Sequence, residues 1–202
     1  MKATFVLLAD IEAENFGRKC MLEANRVGQI GFEMARLPHH ISLKQPFKIA
    51  NLETLENVFD EYAREVNAIS VPLLELNCFP SNVFGYESGC MSIRAESTPQ
   101  LKAIQQKLFD LLEAILGPCP AEHDSDYVFH MTIAIGEASY ENYQKAYQEL
   151  KKHDFHQDFL FDRLGLLYYD DDNIKPGTYF CYKIARLGAL SKAPLRIISS
   201  SR

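Results

Sequence analysis

Basic side chains are in short supply in this 202-residue chain: 21 Lys and Arg stand against 27 Asp and Glu, for a net charge of −6. That excludes an extended basic face of the kind that grips long nucleic acid, and leaves room for a small anionic ligand in a locally basic pocket. Cysteine is sparse and odd in number. Cys20, Cys78, Cys90, Cys119 and Cys181 include no C-x-x-C pair, which excludes a disulfide framework and suits free, mostly buried thiols in a reducing compartment. No apolar stretch approaches the ~20 residues of a membrane helix. The run Thr4–Ala9 stops at Asp10 without a cleavage region, so it is expected to be a buried strand rather than a signal core. No G-x-x-x-x-G-K-[ST] loop is present, so nothing encodes the usual cradle for a nucleoside triphosphate. Tryptophan is absent, and the aromatic content comes from 13 Phe and 10 Tyr. The length suffices for one large domain or two small lobes, and the protein is expected to be soluble and cytoplasmic.

What is present has an order that repeats. Strand 4–9 leads to a helix over 11–29 with Phe16, Cys20, Leu22 and Val27 at helical spacing. A short strand at 40–43 ends before Pro46. Asn51 is a good N-cap for a helix reaching about Asn67, and a strand follows over 71–79. The second half runs the same way: strand 90–95, a helix opened by Thr98-Pro99 and closed by Gly117-Pro118, strand 128–135, a helix after Ser139, and strand 159–168. A last strand, 178–185, lies across an acidic Gly/Pro turn. Landmarks are offset by about 86 to 90 residues between halves, with little residue identity. The expected fold is α+β and bilobal: two pseudo-symmetric lobes, each a largely antiparallel sheet with outer helices. It forms a single domain over 1–188, with half-repeats at about 4–79 and 90–168 and a C-terminal tail at 189–202.

At matching points in the halves stand His40-Ile41-Ser42-Leu43 and His130-Met131-Thr132-Ile133. Side chains alternate along a strand, so His40 and Ser42 share one face, His130 and Thr132 another, with the apolar residues in a core. Two such strands facing one cleft suit acid–base chemistry on a phosphodiester. One neutral imidazole accepts a proton from water, the other donates one to the leaving oxygen, and the hydroxyls steady the phosphate oxygens. His39 points the other way.

Pro38-His39-His40-Ile41-Ser42-Leu43-Lys44 and Phe129-His130-Met131-Thr132-Ile133 resemble the paired H-x-[ST]-x signatures of the two-histidine (2H) phosphoesterase superfamily. That group includes the LigT-like RNA 2′,3′-cyclic phosphodiesterases, also known as 2′-5′ RNA ligases. The resemblance spans nearly the whole chain. It implies hydrolysis of a 2′,3′-cyclic phosphate to a 2′-phosphomonoester, with His40 and His130 catalytic, Ser42 and Thr132 on the phosphate, and neither metal nor other cofactor. Many members carry Arg three residues beyond the second Thr, where this chain has Ile135. Either that cation is missing or Lys44, which strict alternation puts on the face of His40 and Ser42, replaces it as a phosphate ligand. The expected partner is a small nucleotide or an RNA terminus bearing a cyclic phosphate, with no DNA and no membrane, bound by a monomer. The alternatives are a non-catalytic nucleotide-binding module and a 2′-5′ RNA ligase. Phe84, Tyr86 and Tyr179 lie in or beside connectors that could border the cleft, His123 sits in an acidic loop, and Asp170–Asp172 read as a solvated turn.

Overall fold

The computed structural model describes residues 1–82, 85–136, 138–170 and 179–188. In chain order the elements are β1 (Lys2–Ala9), α1 (Ile11–Gly28), a 3₁₀ turn (Glu33–Arg36), β2 (His40–Ser42), β3 (Phe47–Lys48), α2 (Leu52–Glu65) and β4 (Ile69–Ser81). These are followed by β5 (Ser88–Ala95), α3 (Pro99–Leu116), β6 (His130–Ile135), α4 (Tyr140–Leu150), β7 (Gln157–Tyr169) and β8 (Phe180–Arg186). The helix starts follow from their caps. The Asn51 side chain accepts from the Thr54 N–H, and Thr98 accepts from Leu101 with Pro99 in the first turn. Asp10 caps α1 by accepting from Ala13. Ser139 precedes α4 without a side-chain cap bond. The tail at 189–202 and the turn at 171–178 lie outside the described residues.

Helix α1 turns only part of the expected stripe inward: Phe16 and Cys20 pack half-buried against the core. Its buried residues are Ala13, Gly17, Ala24 and Gly28, while Leu22 and Val27 face solvent. The reason is close approach: a Cβ on Gly17 would sit 2.4 Å from the His39 ring, and one on Gly28 would sit 2.5 Å from the Asn142 carbonyl oxygen. Small residues let α1 settle against the strand before His40 and against α4, where larger ones would hold it off.

All strand pairings are antiparallel and form one sheet in the order β3-β1-β2-β6-β5-β4-β7-β8, with β1 also paired to β7. The α+β class, antiparallel strands and outer helices are as expected. The pairing adds an exchange between the halves. β4 closes the first half in sequence but pairs with β5 of the second, and β7 closes the second half but pairs with β1. β4 and β7 then meet along Ile69–Leu73 and Gln157–Phe161, and β2 and β6 meet at Ile41 and Met131. The strands therefore form a closed circuit in which the two motif strands are neighbours.

One face of this circuit carries the main core. Phe5 and Leu7 of β1, Ile41, Met131 and Ile93 pack there with Leu55, Phe59 and Tyr62 of α2 and Leu101 and Leu108 of α3. Each large apolar side chain buried this completely stabilises the fold by about 1.5–3 kcal/mol. On the other face, Val6, Leu8 and Leu167 form a second, smaller cluster with Leu37, Tyr179 and Cys181 against it. β1 is thus buried on both sides, and its even-numbered residues share the face of the motif histidines. Among the described residues no helix is long and apolar enough to cross a membrane. The five cysteines are unpaired, Cys90 buried and the rest half-buried.

Candidate functional site

The site is built by strand register. Leu8 pairs with His40 and Val6 with Ser42; Arg94 pairs with His130 and Ser92 with Thr132. Between them Ile41 faces Met131 across the β2–β6 contact. An antiparallel ladder through that pair sets His40 opposite Thr132 and Ser42 opposite His130. Opposite residues have Cβ atoms about 4.5–5.5 Å apart, and diagonal ones such as His40 and His130 stand about 7–8 Å apart. The four polar side chains named by the motifs therefore share one face, while Ile41, Met131, Leu43 and Ile133 enter the main core.

Both imidazoles are held in the same way. His40 Nδ1 lies 2.8 Å from the Pro38 carbonyl oxygen and His130 Nδ1 lies 2.8 Å from that of Val128, each two residues back. A carbonyl accepts only, so each Nδ1 carries the proton and donates it. Each Nε2 is then left with its lone pair when the ring is neutral. Burial lowers the His40 pKa to about 4, against the opposing pull of the Pro38 carbonyl, and the nearby His39 and His130 rings push it further down. His130 is lowered by the same burial, with the Val128 carbonyl opposing. β2 is fixed from outside by the Tyr127 hydroxyl, which donates to the Ser42 carbonyl at 2.9 Å, and by the Gln105 side-chain amide, which donates to that of Leu43 at 2.8 Å.

Lys44 does not follow its neighbours. β2 ends at Ser42, so strict alternation no longer governs its side chain. The residue is 3% exposed; its Nζ lies 2.5 Å from Asp124 Oδ2 and 4.4 Å from the Phe109 ring centroid. Its charge is already balanced by a carboxylate. Ile135 pairs with Cys90 beyond a bulge between Met91 and Ser92. The bulge sends both Ile133 and Ala134 into the main core and returns Ile135 to the motif face, without charge.

His39 turns away from His40, as alternation requires, and is buried. Its N–H donates to Glu14 Oε2 at 2.7 Å, and its Nδ1 lies 3.3 Å from Glu14 Oε1. Although burial opposes it, the bonds from His39 lower the Glu14 pKa to about 2. Nothing in the sequence separates this pair from other surface carboxylates and histidines. Asp170, expected in a solvated turn, is buried and accepts from the Tyr168 hydroxyl at 2.9 Å. Tyr179 stacks on Tyr169 with centroids 5.0 Å apart, Tyr86 is exposed, and Phe84 lies outside the described residues. His123 is exposed beside Glu122 and Asp126. Among the described residues no group of three His, Cys, Asp or Glu gathers as a metal cluster.

An α+β fold with an H-x-[ST] strand from each half on one face defines the two-histidine phosphoesterase class. The family model of the 2′-5′ RNA ligase superfamily matches residues 24–173, and the chain belongs to that superfamily. Among solved structures the chain is similar to TT0787 of Thermus thermophilus, with a TM-score of 0.61, 13% identity, and 93% of this chain and 98% of that one covered. It is similar to a protein described as a phosphoesterase at a TM-score of 0.51 and 8% identity, with 93% and 98% covered. The LigT protein of E. coli, solved with 3′-AMP, gives a TM-score of 0.51 at 11% identity, with 92% and 97% covered. At these identities the likeness shows the fold. No curated protein matches the chain in sequence.

Proposed function

We propose that the protein is a metal-independent phosphodiesterase that opens 2′,3′-cyclic phosphates, on small nucleotides or at RNA termini, to 2′-phosphomonoesters. One observation carries this: two imidazoles, each with Nδ1 bonded to the carbonyl two residues back, stand on the same face of paired strands. His40, which burial holds near 4 and therefore neutral, serves as the base. Its Nε2 takes a proton from water as the water oxygen bonds to phosphorus. The P–O3′ bond breaks, and His130 passes its Nε2 proton to O3′. The charge of the arriving phosphate counters the burial that keeps both rings neutral in the free protein, so His130 can hold its proton in the complex. Ser42 and Thr132 donate to the phosphate oxygens. The LigT neighbour was solved with a mononucleotide, and the free thiols suit a cytoplasmic setting. The protein acts as a monomer.

The matched family's name supports a second reading, RNA end joining. There a 5′-hydroxyl replaces water, attacks the same phosphorus and leaves a 2′-5′ linkage, with the same proton transfers. Incubation of 2′,3′-cyclic AMP in EDTA, alone and with a 5′-hydroxyl oligonucleotide, separates the two. Hydrolysis predicts 2′-AMP in both, and joining predicts product only with the oligonucleotide. Saturable binding without any product would leave the non-catalytic module.

A further inference from the structure

A cyclic phosphate brings a negative charge that grows as the P–O bond breaks; the one proton that His130 holds in the complex is committed to the leaving oxygen, so the histidines supply no cation to the non-bridging oxygens. Within one strand of either motif histidine, the motif face presents Leu8 and Val6 on β1, and Arg94 and Ser92 on β5. Further along β5 and β6 come Cys90 and Ile135, both uncharged. Lys44 is occupied by Asp124. Among the described residues of these strands Arg94 is therefore the one basic side chain on that face beside a motif histidine, and the register puts it directly across from His130.

Its present partner is weakly held. Arg94 Nε lies 2.8 Å from Glu75 Oε1, with the two side chains 39% and 60% exposed. Exposed ion pairs contribute little and open readily. A guanidinium offers two parallel N–H donors that match a phosphate better than a single carboxylate oxygen does. We propose that Arg94 exchanges Glu75 for the non-bridging oxygens of the phosphate held between the histidines. It is then the cation that this chain uses where position 135 has none. This rests on the phosphodiesterase reading above.

The two partners of the ion pair give opposite predictions. Arg94→Gln should lower kcat/KM for 2′,3′-cyclic AMP at least tenfold and weaken binding of 2′-AMP, with Arg94→Lys recovering part of the loss. Glu75→Gln should leave kcat/KM unchanged or raise it a few-fold, because it frees the guanidinium. A bridge that serves structure alone predicts that both variants change activity in the same direction, in step with their melting temperatures. Turnover by the wild type with Arg94→Gln unchanged, or with both variants falling alike, overturns the role of Arg94 and leaves the phosphodiesterase reading standing. Where the wild type binds 2′-AMP but forms no product, hydrolysis fails instead. The binding arm then still decides Arg94: weaker 2′-AMP affinity in Arg94→Gln supports it, and equal affinity overturns it. If the wild type neither turns over the cyclic phosphate nor binds 2′-AMP, the proposal is overturned.

Discussion

β2 and β6 carry the same four-residue pattern and the same Nδ1-to-carbonyl bond, yet their surroundings differ at almost every matching position. Behind β2 the residue before the histidine is His39, buried with Glu14; behind β6 it is Phe129, equally buried but apolar. Beside His40 lies Leu8; beside His130 lies Arg94. Four residues on from each histidine come Lys44, tied to Asp124, and Ala134, which packs in the core. The backbone duplication repeats how each imidazole is aimed, and burial lowers the pKa of both rings, that of His40 to about 4. Equal aim in unlike surroundings is what the proposed base and acid would use on one phosphate.

That contrast can be broken at Lys44 first. Lys44→Met removes a buried ammonium and leaves Asp124 with only the Ala121 N–H as a donor. Because Asp124 is partly exposed, the expected loss is about 2–3 kcal/mol, below that of a fully buried pair. Urea denaturation measures it, and kcat/KM should stay within about twofold of wild type. A large loss of activity at unchanged stability would instead restore Lys44 as a phosphate ligand.

The burial of His40 and the pairing of Glu14 with His39 behind β2 predict a pH-dependent effect on stability. His40 is near 4 in the fold against about 6.5 unfolded, so the unfolded chain binds more protons between those values. Stability should therefore fall as pH drops from about 6.5 to 4. Glu14, held near 2 against 4.5, contributes stability that is present above 4.5 and lost as pH falls toward 2. His40→Asn should reduce the slope in the first window, to which His130 also contributes, and Glu14→Gln should flatten the second, read as midpoint shifts in denaturant at several pH values. An unchanged profile in both variants would mean that neither group is held as described.

Much of this was legible in the sequence. The caps at Asn51 and Thr98, the duplicated order and the face shared by His40 and Ser42 follow from local rules of spacing and hydrogen bonding. The exchange of β4 and β7 was not, because long-range pairing leaves no local mark. Lys44 was misplaced because alternation was extended past the end of a three-residue strand. The stripe of α1 was legible at Phe16 and Cys20 but not at Leu22 and Val27, because close packing selected glycines and alanines for its most buried positions. Arg94 could not be found without the β5–β6 register, since nothing in its own neighbourhood points to His130.

The opposed roles of two identically held histidines are tested most directly by changing the leaving group. His40→Ala and His130→Ala should each lower kcat/KM for 2′,3′-cyclic AMP by about 10²–10⁴-fold. A phosphodiester with a p-nitrophenol leaving group needs no protonation, so it should restore turnover to within about tenfold of wild type in His130→Ala and leave His40→Ala impaired. Equal rescue of both variants, or rescue of His40→Ala alone, would contradict the assignment of base to His40 and acid to His130.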